Sequence, residues 1–292
     1  MSPFVFGALD DELCAYSSAR AALLPVPYDG TTSYKTGTRE GPAAIIAASQ
    51  ALELFDEELL FTPAAAGIAT LSPVEPDARG PQQTVAAIAR AAARPLSDGK
   101  FTVAVGGEHT ISLGCLQAHR DLDGDIHVLQ IDAHADLRDS YQGSPYSHAC
   151  VMRRALAEFP IVQVGLRSLS AEEHELIEER DLRPFSMNVI RATPGWMDEV
   201  IERLGPKVYL TLDLDGLDPS VCPGVGTPEP GGLGWYELID LLRRVFSRRD
   251  VVGADVVECL PLPGQHVTEF IAARLIYKLF AYHFAPARGR KE

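Results

Sequence analysis

The residues able to do chemistry in this chain gather directly behind short apolar runs. His109 follows the run 101–105 through Gly106-Gly107-Glu108. Asp132, His134 and Asp136 follow 126–131, Asp213 and Asp215 follow 207–212, and Glu258 follows 251–257. If each run is a strand of one parallel sheet, all these groups fall at strand C-termini, where open α/β sheets bind their ligands. Carboxylates gathered there repel one another and raise each other's pKa unless a cation holds them. Asp132, His134 and Asp136 occupy alternate positions, so in extended chain their side chains share one face, and Asp213 and Asp215 do the same. Four carboxylates and two imidazoles suffice for two divalent cations if some carboxylates bridge. An oxygen-rich set with a minority of histidine suits Mn²⁺ better than a four-coordinate structural Zn²⁺ site. A pair of such ions activates water for hydrolysis.

Other polar positions read more plainly. Asp218-Pro219 is a turn, and Glu108 fixes a loop rather than binding metal. Gly106-Gly107-Glu108-His109-Thr110 lacks the Gly-Lys-Ser/Thr ending of a phosphate loop, and no Gly-x-Gly-x-x-Gly opens a helix after a strand, which argues against a nucleotide site. The stretch 223–232, with four glycines and three prolines, is a rigid wall that approaches a ligand closely.

The elements that must position these groups alternate along the chain. Strands are expected at 21–26, 66–71, 101–105, 126–131, 161–166, 207–212 and 251–257. Helices are expected at 42–54, 84–96, 112–119, 149–158, 171–179, 196–204, 235–246 and 267–283. This alternation implies an α/β fold, a mostly parallel sheet covered by helices on both faces. No composition shift or repeat divides the 292 residues, so 1–292 reads as one domain, and the basic tail 288–291 reads as frayed. The net charge of −14 disfavours nucleic acid and attracts a small cation. Five widely spaced cysteines without a Cys-x-x-Cys pair read as reduced thiols. The first residues lack a basic, apolar leader, and no apolar run is long enough to span a membrane, so a cytoplasmic location is expected.

At these motifs the sequence resembles the ureohydrolase (arginase/agmatinase) family. The resemblance is carried by Gly106-Gly107-Glu108-His109, by Asp132-Ala133-His134-Ala135-Asp136, and by Asp213-Leu214-Asp215-Gly216-Leu217-Asp218-Pro219 running into 223–232. It extends from Pro27-Tyr28-Asp29-Gly30 to Glu258. It implies a three-layer α-β-α sandwich of the arginase/deacetylase kind, two Mn²⁺ per chain, and assembly as homotrimers or homohexamers. It implies that His109, Asp132, Asp136 and Asp213 hold one ion and Asp132, His134, Asp213 and Asp215 the other. His148 would shuttle protons, which suits an ordinary histidine pKa near 6.5. Glu258 would grip a guanidinium, and Asp136 would pass a proton to the leaving amine. Two positions depart from the family pattern: Glu108 stands where Asp is usual, and Ala149 where Gly is common.

The loop 137–147 lacks the Asn/Ser-rich pattern by which arginases hold an amino acid's α-groups, and with 27–34 it resembles agmatinases. The implied reaction is agmatine to putrescine and urea. N(1)-aminopropylagmatine is the alternative substrate, followed by those of arginase, guanidinobutyrase and formimidoylglutamase. A carboxylate-tailed substrate would need a cation, for which Lys35 and Arg138 are the loop candidates. A metal-dependent phosphoesterase would want Lys or Arg aimed at phosphate, and a non-catalytic relative would have lost a ligand, His148 or Glu258.

Overall fold

The computed structural model describes residues 4–285, so the tail 288–291 lies outside the described residues. Among the described residues seven strands form: β1 (Ala21–Val26), β2 (Ile68–Thr70), β3 (Phe101–Gly106), β4 (His127–Ile131), β5 (Ile161–Val164), β6 (Lys207–Asp213) and β7 (Asp250–Val257). They make one sheet in the order β2-β1-β3-β7-β6-β4-β5, and every pairing among them is parallel. Each of the seven expected strands is present, and the sheet is wholly rather than mostly parallel.

The apolar runs are strands because both of their faces are covered. Leu23, Val103, Val105, Leu129, Ile131, Leu210 and Leu212 enter one core with the helices Gly41–Ser49, Trp235–Arg248 and Val267–Phe284. Their neighbours Leu24, Val26, Ala104, Val128 and Tyr209 enter a second core with the helices Pro81–Ser97, Ile111–Asp123 and Ala171–Arg180. Alternate residues of one strand thus feed opposite cores, which is the three-layer α-β-α arrangement.

Two helices differ from expectation. The helix expected at 149–158 is a 3₁₀ turn, His148–Cys150, followed by the short helix Val151–Ala155. The amides of Met152 and Arg153 both donate to the Asp136 carbonyl, at 3.0 and 3.1 Å, so this segment is tethered to the site loop instead of continuing as a regular helix. The helix expected at 42–54 stops at Ser49. A further helix, Met187–Ala192, was not anticipated; the Ser186 side chain caps it by accepting from the Val189 amide. Among the described residues no helix is long and apolar enough to cross a membrane.

Candidate active site

The strands that deliver ionisable residues, β3, β7, β6 and β4, are consecutive in the sheet. Their C-terminal ends therefore bring His109, Glu258, Asp213, Asp215, Asp132, His134 and Asp136 into one cluster. His109 Nδ1 lies 3.0 Å from Asp132 Oδ2, 3.0 Å from Asp136 Oδ2 and 3.4 Å from Asp213 Oδ2. His134 Nδ1 lies 3.0 Å from Asp215 Oδ2 and 3.6 Å from Asp132 Oδ1. Two groups of potential ligand atoms result: His109, Asp132 and Asp213, and Asp132, His134 and Asp215. Asp132 belongs to both, and Asp136 stands against the first through His109.

The alternation argument reaches these neighbours by a different geometry. Only Asp213 is in a strand; Asp215 sits in the 3₁₀ turn Leu214–Gly216, and Asp136 has φ of +52°. The side chains converge through tight turns rather than along a shared extended face. Asp213 builds the first turn itself, accepting from the Asp215 amide at 2.9 Å, while Asp215 accepts from the Ala133 amide at 3.1 Å and so ties β6 to β4.

The electrostatics call for cations. Burial, then repulsion from Asp215 and Asp132, raises the Asp213 carboxyl well above the usual range. Burial and then Asp132 push Asp136 up to about 7. Burial opposes charging of the histidines too, but the surrounding carboxylates outweigh it and raise His109 well above its ordinary value and His134 to about 12. Without metal, the histidines serve as counter-ions. Buried His109 Nδ1 makes no well-directed hydrogen bond although two carboxylates lie beside it. An orphaned ring nitrogen among aspartate oxygens fits a divalent cation.

A pocket of about 230 Å³ opens over the cluster, with Glu258, His148, Gly226 and Thr227 in its wall. Glu258 has φ of +63°, a conformation unfavourable for a residue with a Cβ. Its Oε1 accepts from the His109 amide at 2.7 Å. A Cβ added to Gly226 would come within 4.0 Å of Oε2, so the glycine leaves space on that side of the carboxylate. The stretch 223–232 forms the expected wall, held by Asp218, whose Oδ2 accepts from the amides of Gly231 and Gly232.

Glu108 is the loop-fixing residue expected. Its Oε2 accepts from the Thr31 amide at 2.6 Å, and its Oε1 from the hydroxyls of Thr31 and Thr110, both at 2.5 Å. The longer side chain thereby spans from the β3 loop to the N-terminal loop. Beside it Gly107 admits no side chain, since a Cβ would stand 2.0 Å from the Tyr28 carbonyl oxygen; close backbone packing, not phosphate, demands this glycine. Thr31 Oγ1 accepts from the His148 amide at 3.0 Å and lies 3.3 Å from Nδ1 of the same residue. Burial, reinforced by His109 and His134, lowers His148 to about 4 rather than leaving it near 6.5. A neutral imidazole is therefore the resting form at neutral pH.

Sequence reasoning missed the polar residues beneath the cluster. Gln130 Nε2 donates to Asp132 Oδ2 at 2.6 Å, and Gln163 donates to Gln130 Oε1 at 2.6 Å. Thr211 and Asp255 stand in the same way under His109. Each interrupts an otherwise apolar run, which was the available signal.

Comparisons with known proteins agree with this site. The arginase family profile matches residues 19–281. The N(1)-aminopropylagmatine ureohydrolase of Synechocystis sp. is 41% identical over 280 residues, covering 93% of this chain and 92% of the relative. That of Thermus thermophilus is 43% identical over 274 residues, covering 94% and 92%. Among solved structures, the agmatine ureohydrolase of Thermoplasma volcanium superposes with a TM-score of 0.84 at 32% identity, covering 94% of this chain and 95% of its own. With its all-parallel sheet, its His/Asp cluster and a match across nearly its whole length, the chain belongs to the arginase family, as a ureohydrolase close to the agmatinases.

Proposed function

We propose that the chain hydrolyses an amine-tailed guanidine, releasing urea and a di- or polyamine, with two Mn²⁺ ions held by His109, Asp132, Asp136 and Asp213 and by Asp132, His134, Asp213 and Asp215. The observation that carries this reading is the orphaned His109 nitrogen among aspartate oxygens at the floor of a pocket whose wall carries the buried Glu258. When bound, such ions supply a water activated for attack at neutral pH. Glu258 Oε2 receives the guanidinium in the space left by Gly226 and fixes its carbon over the metal-binding cluster. Asp136, beside His109 at the floor of the pocket, would take the proton released by the attacking water and deliver it to the leaving amine. His148, neutral at rest, takes up a proton at the pocket wall and passes it toward solvent. His148→Ala is expected to lower kcat about a hundredfold, the lower end for a positioned proton-transfer group, with both metals retained. An unchanged kcat would remove it from proton transfer.

Agmatine and N(1)-aminopropylagmatine both satisfy this scheme. Identities of 41% and 43% to relatives named for the longer compound, against 32% to an agmatinase of Halalkalibacterium halodurans, favour the longer one. Lys35 and Arg138 both line the pocket, so a carboxylate tail keeps a possible anchor and belongs in the test. Urea release by Mn²⁺-loaded protein is to be measured with agmatine, N(1)-aminopropylagmatine, arginine and guanidinobutyrate in parallel. Preference for an amine-tailed compound is the expected result; preference for a carboxylate-tailed one would transfer the distal contact to Lys35 or Arg138. The same reading places 1–292 as one cytoplasmic domain assembled as a homotrimer or homohexamer, an assembly that light scattering would size.

A further inference from the structure

A transverse row of polar side chains crosses the sheet directly beneath the ligands. Asp255, Thr211, Gln130 and Gln163 are register partners on β7, β6, β4 and β5. In this row a fully buried carboxylate, Asp255, with no ion pair to a lysine or arginine among the described residues, faces His109 through one hydroxyl. Thr211 Oγ1 donates to Asp255 Oδ1 at 2.7 Å and lies 2.8 Å from His109 Nε2. Tyr209 donates to the other oxygen, Asp255 Oδ2, at 2.8 Å.

Hydrogen counting gives the chain of bonds a direction. A threonine hydroxyl carries one hydrogen. Given to Asp255, it leaves the Thr211 oxygen only as an acceptor toward His109, so when the imidazole gives up its second proton to a metal the hydrogen that stays is the one on Nε2. Nδ1 then keeps its lone pair, and Nδ1 is the atom that lies 3.0 Å from Asp132 and Asp136. We infer that Asp255 and Thr211 are positioning residues that hold His109 in the Nε2–H tautomer and ring orientation needed to ligate a metal. This rests on the metal site proposed above. Groups that orient a metal-bound histidine in this way contribute roughly 10- to 100-fold to metal affinity.

The test is titration of the full-length, metal-free protein with Mn²⁺ alone, followed by the EPR signal of free Mn²⁺. Thr211→Val keeps the shape and removes the hydroxyl; it is expected to weaken one of the two sites about 10- to 100-fold and leave the other unchanged. Thr211→Ser should restore that site to within a few fold, which a loss due to altered packing would not do. Asp255→Asn, read the same way, replaces Thr211→Val if that variant does not fold. Wild-type affinity at both sites in the folded variant would overturn the inference. His109→Ala is the control: if it too binds two ions normally, the ligand assignment fails. If it loses a site while Thr211→Val loses none, only the positioning role fails.

Discussion

Asp213→Ala is expected to lose both metal ions and to reduce urea formation at least about a thousandfold, since a metal contributes several kcal/mol to such a reaction. The side chain has two tasks. Its Oδ2 faces His109 in the first ligand group, and its Oδ1 holds the Asp215 amide, fixing the turn that presents a ligand of the second group. Removing it takes away one ligand and loosens another. Asp213→Asn separates the tasks: it keeps an acceptor for the Asp215 amide but lacks the charge, and should lose activity with less disturbance of the turn. Elemental analysis and urea assays read both effects, and full occupancy of two metals in Asp213→Ala would refute the shared-ligand assignment.

The metal-free proteins should differ in the opposite sense. Burial and neighbouring carboxylates raise the Asp213 pKa in the folded state, so its contribution to stability is complete below the unfolded carboxyl range and is lost as pH rises through the folded value. Asp136 behaves alike between the ordinary carboxylate range and about 7. Metal-free Asp213→Ala should therefore melt no lower than metal-free wild type at pH 8, while Mn²⁺ should raise the melting temperature of wild type alone. A metal-free variant that melts far lower would mean that the turn Asp213 holds through the Asp215 amide outweighs the repulsion its charge meets.

The strands were legible because burial on both faces writes them as continuous apolar runs, and the His/Asp cluster because its members follow those runs closely. Register and turn geometry were less legible. Asp136 and Glu258 both take positive φ, which a non-glycine residue does not announce, and Asp215 reaches the cluster through a 3₁₀ turn. The polar row was overlooked because Gln130, Thr211 and Asp255 are single polar residues inside runs that read as uniformly apolar; their meaning depends on pairing between strands distant in sequence. The ordinary pKa expected of His148 was not met for a similar reason. Its pKa follows from burial against Thr31 and the two site histidines, contacts made between distant loops.

Glu258→Gln is expected to lower kcat/KM roughly 30- to 1,000-fold, the equivalent of about 2–4 kcal/mol, with both metals retained. The replacement preserves length, and its carbonyl oxygen accepts the His109 amide as Oε1 does at 2.7 Å. What it removes is the negative charge offered to a guanidinium inside a buried pocket, where an unpaired cation is costly. Aspartate at 258 is the complementary variant: it keeps the charge but withdraws it by one methylene, away from both Gly226 and the His109 amide. If charge governs binding, Glu258→Asp should retain more affinity than Glu258→Gln. If placement of the carbon governs the chemical step, Glu258→Asp should lose more in kcat than in KM. Measured kcat and KM for the pair, beside metal content, separate the two. A Glu258→Gln enzyme with wild-type kcat/KM would mean that the guanidinium is held elsewhere in the pocket, whose lining also carries the carboxylates of Asp136 and Glu173.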